Sequence, residues 1–334
     1  MKRDNHLLEL IACPDNLRQA FWKAQKGKSG KQEVVSFRRS LDKNLLKIRQ
    51  DILMGHVDVG HYHYFKIYDP KERNICAATF NERILHHALI NICANNFEKF
   101  QIYDSYACRV GKGTYAALER AKIFQKRYKW FLKLDIRKYF DSIDHCVLKT
   151  LLQRRFKEKA LLNIFHQIID SYETSHEKGI PIGNLTSQYF ANHYLAIADH
   201  YVKEILRASA YIRYMDDMVI WDNSSSQLFA IGKRLEEFLA NDLSLTLKQF
   251  CLNRTGNGLP FLGYLVFPDK IKLKRKSKLR FKSKFTDYTN KLRYSEWNQD
   301  IYQQHILPLF AFVKHADTHG LRDSMIKKME LNIM

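Results

Sequence analysis

The sequence predicts an α+β fold in which a small βαββαβ sheet lies between helical flanks, and three observations carry that expectation. Short apolar strands at 130–135, 211–214, 218–221 and 261–267 alternate with segments whose apolar residues recur at helical spacing. The run Tyr211-Ile-Arg-Tyr-Met-Asp-Asp-Met-Val-Ile-Trp221 is apolar, aromatic and β-branched except for two adjacent acids, the pattern of a strand, a turn and a second strand. Hydrophobic residues make up 46% of the 334, enough for one large core or a few smaller ones.

Taken from the N-terminus, Leu7 to Lys26 reads as helix with a break at Pro14-Asp15. Phe37 to Met54 places Leu41, Leu45, Ile48 and Ile52 at helical spacing and predicts one helix, and Arg83 to Phe97 predicts another. After the strand at 130–135 come helices at His145 to Phe156 and Lys159 to Asp170, then a helical pattern running through Ile205. Ser224-Ser-Ser226 follows the double-acid hairpin and is placed to cap a helix from Gln227 to Leu239. Lys270-Ile-Lys-Leu-Lys has strand period, whereas from Ser277 the residues Phe281, Phe285, Tyr288 and Leu292 have helix period. Ile301 to Ala316 is an apolar helix interrupted by Pro308. The expected divisions are 1–129, 130–268 and 269–334.

Charge narrows the function classes. A formal charge of +20 attracts polyanions, and 13% aromatic residues offer surfaces on which bases stack, so nucleic acid is the expected partner. An apolar run of the roughly 20 residues needed to span a bilayer is absent, as is a signal peptide, so cytoplasmic residence without a membrane is expected. Cys13, Cys76, Cys93, Cys108, Cys146 and Cys251 form no Cys-x-x-Cys pair, which points away from a disulfide framework or a zinc knuckle.

The paired acids point to a metal. Neighbouring carboxylates repel, and in a half-buried hairpin that cost persists unless a cation or hydrogen bonds offset it. A bare Asp-Asp also suits a solvated hairpin tip, but Trp130-Phe-Leu-Lys-Leu-Asp135 supplies a third acid at a strand end. Although 81 positions separate Asp135 from Asp216, they can meet on adjacent strands of one sheet. Three carboxylates there would hold two Mg²⁺ ions about 3.5–4 Å apart, activating an attacking hydroxyl and stabilising a leaving pyrophosphate. That is the chemistry of nucleotidyl transfer.

In this setting Tyr214-Met215-Asp216-Asp217 resembles the metal-binding box of reverse transcriptases, and Asp135 with Phe140 resembles their first palm motif. The ordered set extends the resemblance from about residue 30 to residue 285. Phe65-Lys-Ile-Tyr-Asp-Pro-Lys71-Glu-Arg73-Asn-Ile and Asn81-Glu-Arg83-Ile-Leu-His-His are similar to the fingers motifs. Leu245-Thr-Leu-Lys248 and Leu259-Pro-Phe-Leu-Gly263-Tyr are similar to a later palm motif and the primer grip. The resemblance implies a right-hand polymerase with helical fingers, a βαββαβ palm and a helical thumb, hence an RNA-directed DNA polymerase.

The box Gly179-Ile-Pro-Ile-Gly-Asn-Leu-Thr-Ser-Gln188 narrows the resemblance, because most reverse transcriptases carry Pro-Gln-Gly where this chain has Pro181-Ile182-Gly183-Asn184. This variant resembles the reverse transcriptases of diversity-generating retroelements, as do Asp104-Ser-Tyr-Ala-Cys-Arg109-Val-Gly-Lys112-Gly and His86-His87-Ala-Leu. Those enzymes copy a template-repeat RNA into cDNA while misincorporating opposite adenine. The implied partners are that RNA, the nascent cDNA, dNTPs and an oligomeric basic accessory variability protein. Other bacterial lineages (retron, group II intron, phage-defence) and a catalytically silent RNA-binding scaffold are the competing readings.

By resemblance, Asp135, Asp216, less directly Asp217, and the Ile136 carbonyl hold two Mg²⁺, for which Mn²⁺ is a substitute. Lys71, Arg73 and Arg83 match phosphate-clamping positions, the loop from Ile136 to Tyr139 offers amides to the triphosphate, and Ile182 and Gly183 lie beside the incoming nucleotide. Phe140 sits where the family places an aromatic beneath the incoming sugar, crowding a 2′-hydroxyl; a plain core role is its alternative. Lys248 protonates or neutralises the pyrophosphate, or is an ordinary exposed lysine. Arg109, Lys112 and Gln188 are expected at the template. Gly263 is expected at the primer, with a tight turn as the alternative.

From Lys270 to Lys284 every even-numbered residue is Lys or Arg; with Arg275 that makes 9 basic residues in 15 and no acid. Lys272, Lys274, Lys276 and Lys278 are accordingly expected on the template-primer backbone, against the alternative of a solvated face. The residues beyond are expected to hold no endonuclease, ribonuclease H or DNA-binding module.

Overall fold

The computed structural model describes residues 6–68 and 72–331. The N-terminal region is built from α1 (Leu7–Ile11), α2 (Pro14–Gln25), α3 (Gln32–Arg39), α4 (Leu41–Met54) and α5 (Phe80–Glu98), with a hairpin of β1 (Tyr62–Ile67) and β2 (Arg73–Ala78) between α4 and α5. Pro14 opens α2, where its missing amide costs nothing. The single helix expected over 37–54 is broken at Ser40, whose φ of −127° is not helical. There the Asn44 side-chain amide donates to the Phe37 carbonyl (2.9 Å) and closes the end of α3. Ile84, Leu85, Ala88, Leu89 and Cys93 bury α5 on one face against α2 and on another against a later helix, making it the axis of the largest core.

The palm-like sheet follows. Helix α6 (Thr114–Arg127) leads into β3 (Trp130–Asp135); then come α7 (Tyr139–Ser142), α8 (His145–Gln153), α9 (Lys159–Asp170) and α10 (Leu185–His200), which ends in a π turn over Tyr201–Ile205. The hairpin β4 (Ala210–Tyr214) and β5 (Asp217–Asp222) is followed by α11 (Ser225–Leu243) and β6 (Cys251–Arg254). These strands form one antiparallel sheet in the order β4-β5-β3-β6. This is the βαββαβ arrangement of a right-hand polymerase palm, with one correction: its last strand is β6, not 261–267. The expected strand at 261–267 is split by a turn at Leu262 and Gly263, both at positive φ (47° and 90°), into β7 (Leu259–Phe261) and β8 (Tyr264–Val266). With β9 (Ile271–Leu273) these make a separate three-stranded sheet.

Period-2 alternation assigns the two faces of the palm sheet. Leu132, Leu134, Met218 and Ile220 face the main core with α10 and α11. Phe131, Ile212, Val219 and Trp221 face a second core, filled by Ala117, Leu118, Ala121 and Phe124 of α6 and by Leu259, Phe261, Tyr264 and Val266. Asp135, Lys133 and Asp217 belong by register to this second face, at the end of the sheet where the packing stops. Ser224 caps α11 as expected, accepting from the Gln227 amide (3.2 Å).

The C-terminal helices are α12 (Arg275–Arg293), α13 (Gln299–Lys314) and α14 (His319–Leu331). Phe281, Phe285, Ile306, Val313 and Met325 form their small core. Among the described residues no helix is long and apolar enough to cross a membrane.

Candidate active site

The register of the sheet brings the three acids together. Asp135 pairs directly with Asp217 across β3 and β5, and Asp216 occupies the two-residue turn between β4 and β5. Met215 precedes it at φ 55°, a left-handed conformation that costs about 1–3 kcal/mol for a residue with a side chain. Arg213 holds that turn. Its fully buried guanidinium donates to the Met215 carbonyl (3.1 Å), to both Asp199 carboxylate oxygens (2.7 and 2.6 Å), and to the side-chain oxygens of Asn192 (3.0 Å) and Gln101 (3.1 Å). Asp199 and Asn192 lie on α10, so the buried ion pair fastens the acid-bearing turn to the helix beneath the sheet.

A cleft of about 550 Å³ opens over the acids, lined by Arg73, Cys108, Asp135, Ile136, Lys138, Tyr139, Phe140, Asp141, Ile182, Gly183, Gln188, Tyr214, Met215, Asp216, Asp217, Lys248 and Leu262. Burial pushes the Asp216 carboxyl above its ordinary range, and the Asp135 charge adds to this while Lys248 and Arg73 oppose it. Burial raises Asp217 as well, against the pull of Lys133. Lys248 donates to Asp135 Oδ2 (2.9 Å), and its backbone amide donates to the Asp135 carbonyl (2.8 Å). The Arg137 amide donates to Thr246 (2.9 Å), so this backbone exchange passes over Ile136.

Among the described residues no three His, Cys, Asp or Glu side chains close on one point as a ready ligand set. The donor chemistry nonetheless fits a hard divalent cation. Carboxylate oxygens and the neighbouring Ile136 carbonyl are the donors such ions take, and lysine ammonium groups already stand against Asp135 and Asp217 as the positive charge the acids require.

The remaining expected residues divide. Ile182 and Gly183 line the cleft because their box is stitched to β2: the Cys76 amide donates to the Ile182 carbonyl (2.8 Å) and the Ala78 amide to Asn184 Oδ1 (3.0 Å). Gly183, at φ 131°, leaves no room for a side chain, since an added Cβ would lie 3.0 Å from the Cys76 carbonyl oxygen. Tyr139 turns its hydroxyl inward to the Ala191 carbonyl (2.5 Å), while half-buried Phe140 faces the cleft and packs edge-on against it. Gln188 accepts from the Cys108 thiol (3.3 Å) at the cleft wall.

Other expected residues have partners within the protein itself. Arg83 commits its guanidinium to the Ala24 carbonyl (2.6 Å) and lies outside the cleft lining. Arg109 bonds Glu98 at the end of α5 (2.9 Å) and the carbonyls of Ile102 (2.6 Å) and Ser105 (2.7 Å). Lys112 sits over the Tyr103 ring at 3.4 Å and donates to the Tyr103 carbonyl. Gly263 serves the turn, and its carbonyl accepts from Ser277 Oγ (2.7 Å). Lys71 lies outside the described residues. Lys272, Lys276 and Lys278 are exposed, Lys274 half-buried. Lys133, in contact with Asp217, is covered by no expectation from the sequence; its place was legible, two positions before Asp135 on a strand and therefore on the same face.

The sheet order and its flanking helices are those of a right-hand polymerase fold. A family model described as "Reverse transcriptase (RNA-dependent DNA polymerase)" matches residues 68–264, and the chain belongs to that family. Protein YkfC of Escherichia coli (strain K12) is 22% identical over 315 residues, 78% of this chain and 83% of that protein. Group II intron-encoded protein LtrA of Lactococcus lactis subsp. cremoris is 25% identical over 142 residues, 40% of this chain and 24% of that protein. A solved telomerase from Candida albicans, in complex with a TWJ fragment of telomeric RNA, superposes with a TM-score of 0.52 at 11% identity, over 72% of this chain and 52% of that one. At that identity the likeness concerns the fold alone. The chain thus spans about a quarter of LtrA and about half of the telomerase chain.

Proposed function

We propose that this protein is the RNA-directed DNA polymerase of a diversity-generating retroelement, copying a template-repeat RNA into cDNA with adenine-directed misincorporation in the cytoplasm. The observation that carries the polymerase reading is the pairing of Asp135 with Asp217, and Asp216 in the adjoining turn, beneath one cleft that also holds Arg73, Phe140 and Lys248. In this reading residues 1–129 are N-terminal helices and fingers, 130–268 the palm with interleaved fingers helices, and 269–334 a basic thumb. The accessory variability protein is a further proposed partner.

Two Mg²⁺ ions, or Mn²⁺ in their place, would activate the primer 3′-hydroxyl and stabilise the departing pyrophosphate when bound. Asp135, Asp216 and the Ile136 carbonyl would hold them. Arg73, near enough to Asp216 to act on its charge, meets the triphosphate of the dNTP. Lys248 is released from Asp135 to neutralise the pyrophosphate. Phe140 presents a flat apolar surface that leaves a 2′-hydroxyl unpaired and so favours deoxynucleotides.

Asp216→Asn is expected to abolish Mg²⁺-dependent extension of a primed RNA while leaving RNA binding largely intact. Normal extension by the variant would remove the metal assignment. The retroelement reading rests on Ile182, whose side chain offers the cleft only volume where a Gln would offer hydrogen bonds. Such a contact is worth roughly 1–3 kcal/mol of discrimination, about ten- to a hundred-fold in error rate. Ile182→Gln should therefore lower misincorporation opposite template adenine more than opposite other bases. Deep sequencing of cDNA from both enzymes on one template reads this directly. An accurate wild-type enzyme would instead favour an intron-type lineage, towards which the similarity to LtrA points.

A further inference from the structure

Two of the three acids that meet at the β4–β5 hairpin, Asp135 and Asp217, are each engaged by a lysine. Lys248 comes from a loop and sits over Asp135, with 47% and 38% of their side chains exposed. Lys133 differs: it belongs to β3 itself, pairs in register with Val219, and reaches diagonally to the Asp217 carboxylate. Both side chains are largely enclosed, 20% and 25% exposed, and the Lys133 ammonium also lies 5.5 Å from the centre of the buried Phe261 ring of β7. A strand residue between a packed ring and a carboxylate has little freedom to leave.

We propose that Lys133 is a positioning residue that acts as a built-in counter-cation, engaging Asp217 so that the divalent-ion site is left to Asp135 and Asp216. The proposal rests on the polymerase reading of the same cleft. Asp135 and Asp217 are directly opposed on paired strands, and like charges so placed repel unless a cation intervenes. The lysine supplies that cation at the inner acid, on the side of the sheet occupied by Phe261. Asp135 and Asp216, half-buried, line the cleft where an ion would arrive, and its affinity is held down by the charge that Lys133 takes from the third acid. In Lys133→Gln the Asp217 carboxylate loses its partner and adds a full negative charge to the site.

The test is binding of Mn²⁺ alone to the full chain, read as free Mn²⁺ by electron paramagnetic resonance without RNA or dNTP. Lys133→Gln should bind Mn²⁺ at least about tenfold more tightly than wild type, because one unit charge beside a divalent ion in a half-buried site contributes more than a tenfold change requires. Lys133→Arg keeps the charge and should retain wild-type affinity. The double variant Lys133→Gln/Asp217→Asn, with neither charge, should return close to wild type. Circular dichroism and RNA affinity establish that each variant is folded. Unchanged or weaker Mn²⁺ binding by folded Lys133→Gln overturns the proposal, as does tight binding that persists in the double variant. If wild type binds no Mn²⁺, or Asp216→Asn binds it equally well, the underlying site reading fails instead, a separate outcome.

Discussion

At the scale of single residues, the acids of the cleft carry a stability cost that the apo protein should reveal. The Asp216 carboxyl is raised above its ordinary range, chiefly by burial. A raised folded-state value means that the neutral form is favoured by folding: its contribution is fully present below the unfolded value near 4 and is lost as pH rises through the folded value. At pH 7 without metal the site is therefore destabilising. Asp216→Asn should melt higher than wild type at pH 7 in a chelator, and the difference should close as pH falls towards about 4. A lower melting temperature for the variant at pH 7 would show that burial is not the dominant influence. Legibility at this scale divided by chemistry. Asp135, Asp216 and Asp217 could be found because acids in apolar strands are costly, but Arg83, Arg109 and Lys112 could not be told apart from cleft residues. A basic side chain spent on a backbone carbonyl or a tyrosine ring looks, in sequence, like one waiting for phosphate.

At the scale of elements, strands with strong patterns were placed closely: β3 coincides with the expected 130–135, and the hairpin extends the expected strands by one residue at most ends. The errors fall where local signals compete. Helix α6 has no counterpart among the expected elements, although Ala117, Leu118, Ala121 and Phe124 make one apolar stripe. The expected fourth palm strand fell elsewhere because β6 is short and partly exposed, whereas 261–267 reads as apolar strand although Gly263 turns it. The device that makes the acid-bearing hairpin rigid was not legible at all, since the partners of Arg213 lie 14, 21 and 112 positions away. Arg213→Met should cost about 3–5 kcal/mol in urea unfolding, because it leaves Asp199 buried without its cation. The double variant Arg213→Met/Asp199→Leu should recover much of that loss, as an apolar pair replaces an ion pair. Additive losses would mean that the guanidinium supports the hairpin through its bond to Met215 more than through Asp199.

At the scale of the whole molecule, the +20 charge must find a polyanion, and the fold decides which part of the basic segment faces it. The even-numbered run suggests one continuous basic face, but the chain changes period inside it. On β9, exposed Lys272 alternates with buried Ile271. From Arg275 onward the segment is helix α12, where two residues' separation turns a side chain through about 200°, so Lys276 and Lys278 point apart. Arg275, Lys278 and Lys282 recur instead at helical spacing, all exposed, on the flank beside the buried Phe281 and Phe285. Replacing Lys272, Lys274, Lys276 and Lys278 with Gln should weaken RNA binding and flatten the plot of log affinity against log salt, each lost phosphate contact removing roughly 0.7–0.9 from the slope. Because those residues straddle two directions, the change should fall short of four contacts, below about 2.8. The triple variant Arg275→Gln/Lys278→Gln/Lys282→Gln concentrates its losses on one helix face and should remove about 2–3 units despite changing one residue fewer. Titrating a labelled RNA hairpin at several salt concentrations with both variants separates the arrangements. Equal slopes for the triple variant and wild type would return α12 to a solvated surface and place the nucleic acid elsewhere on the protein.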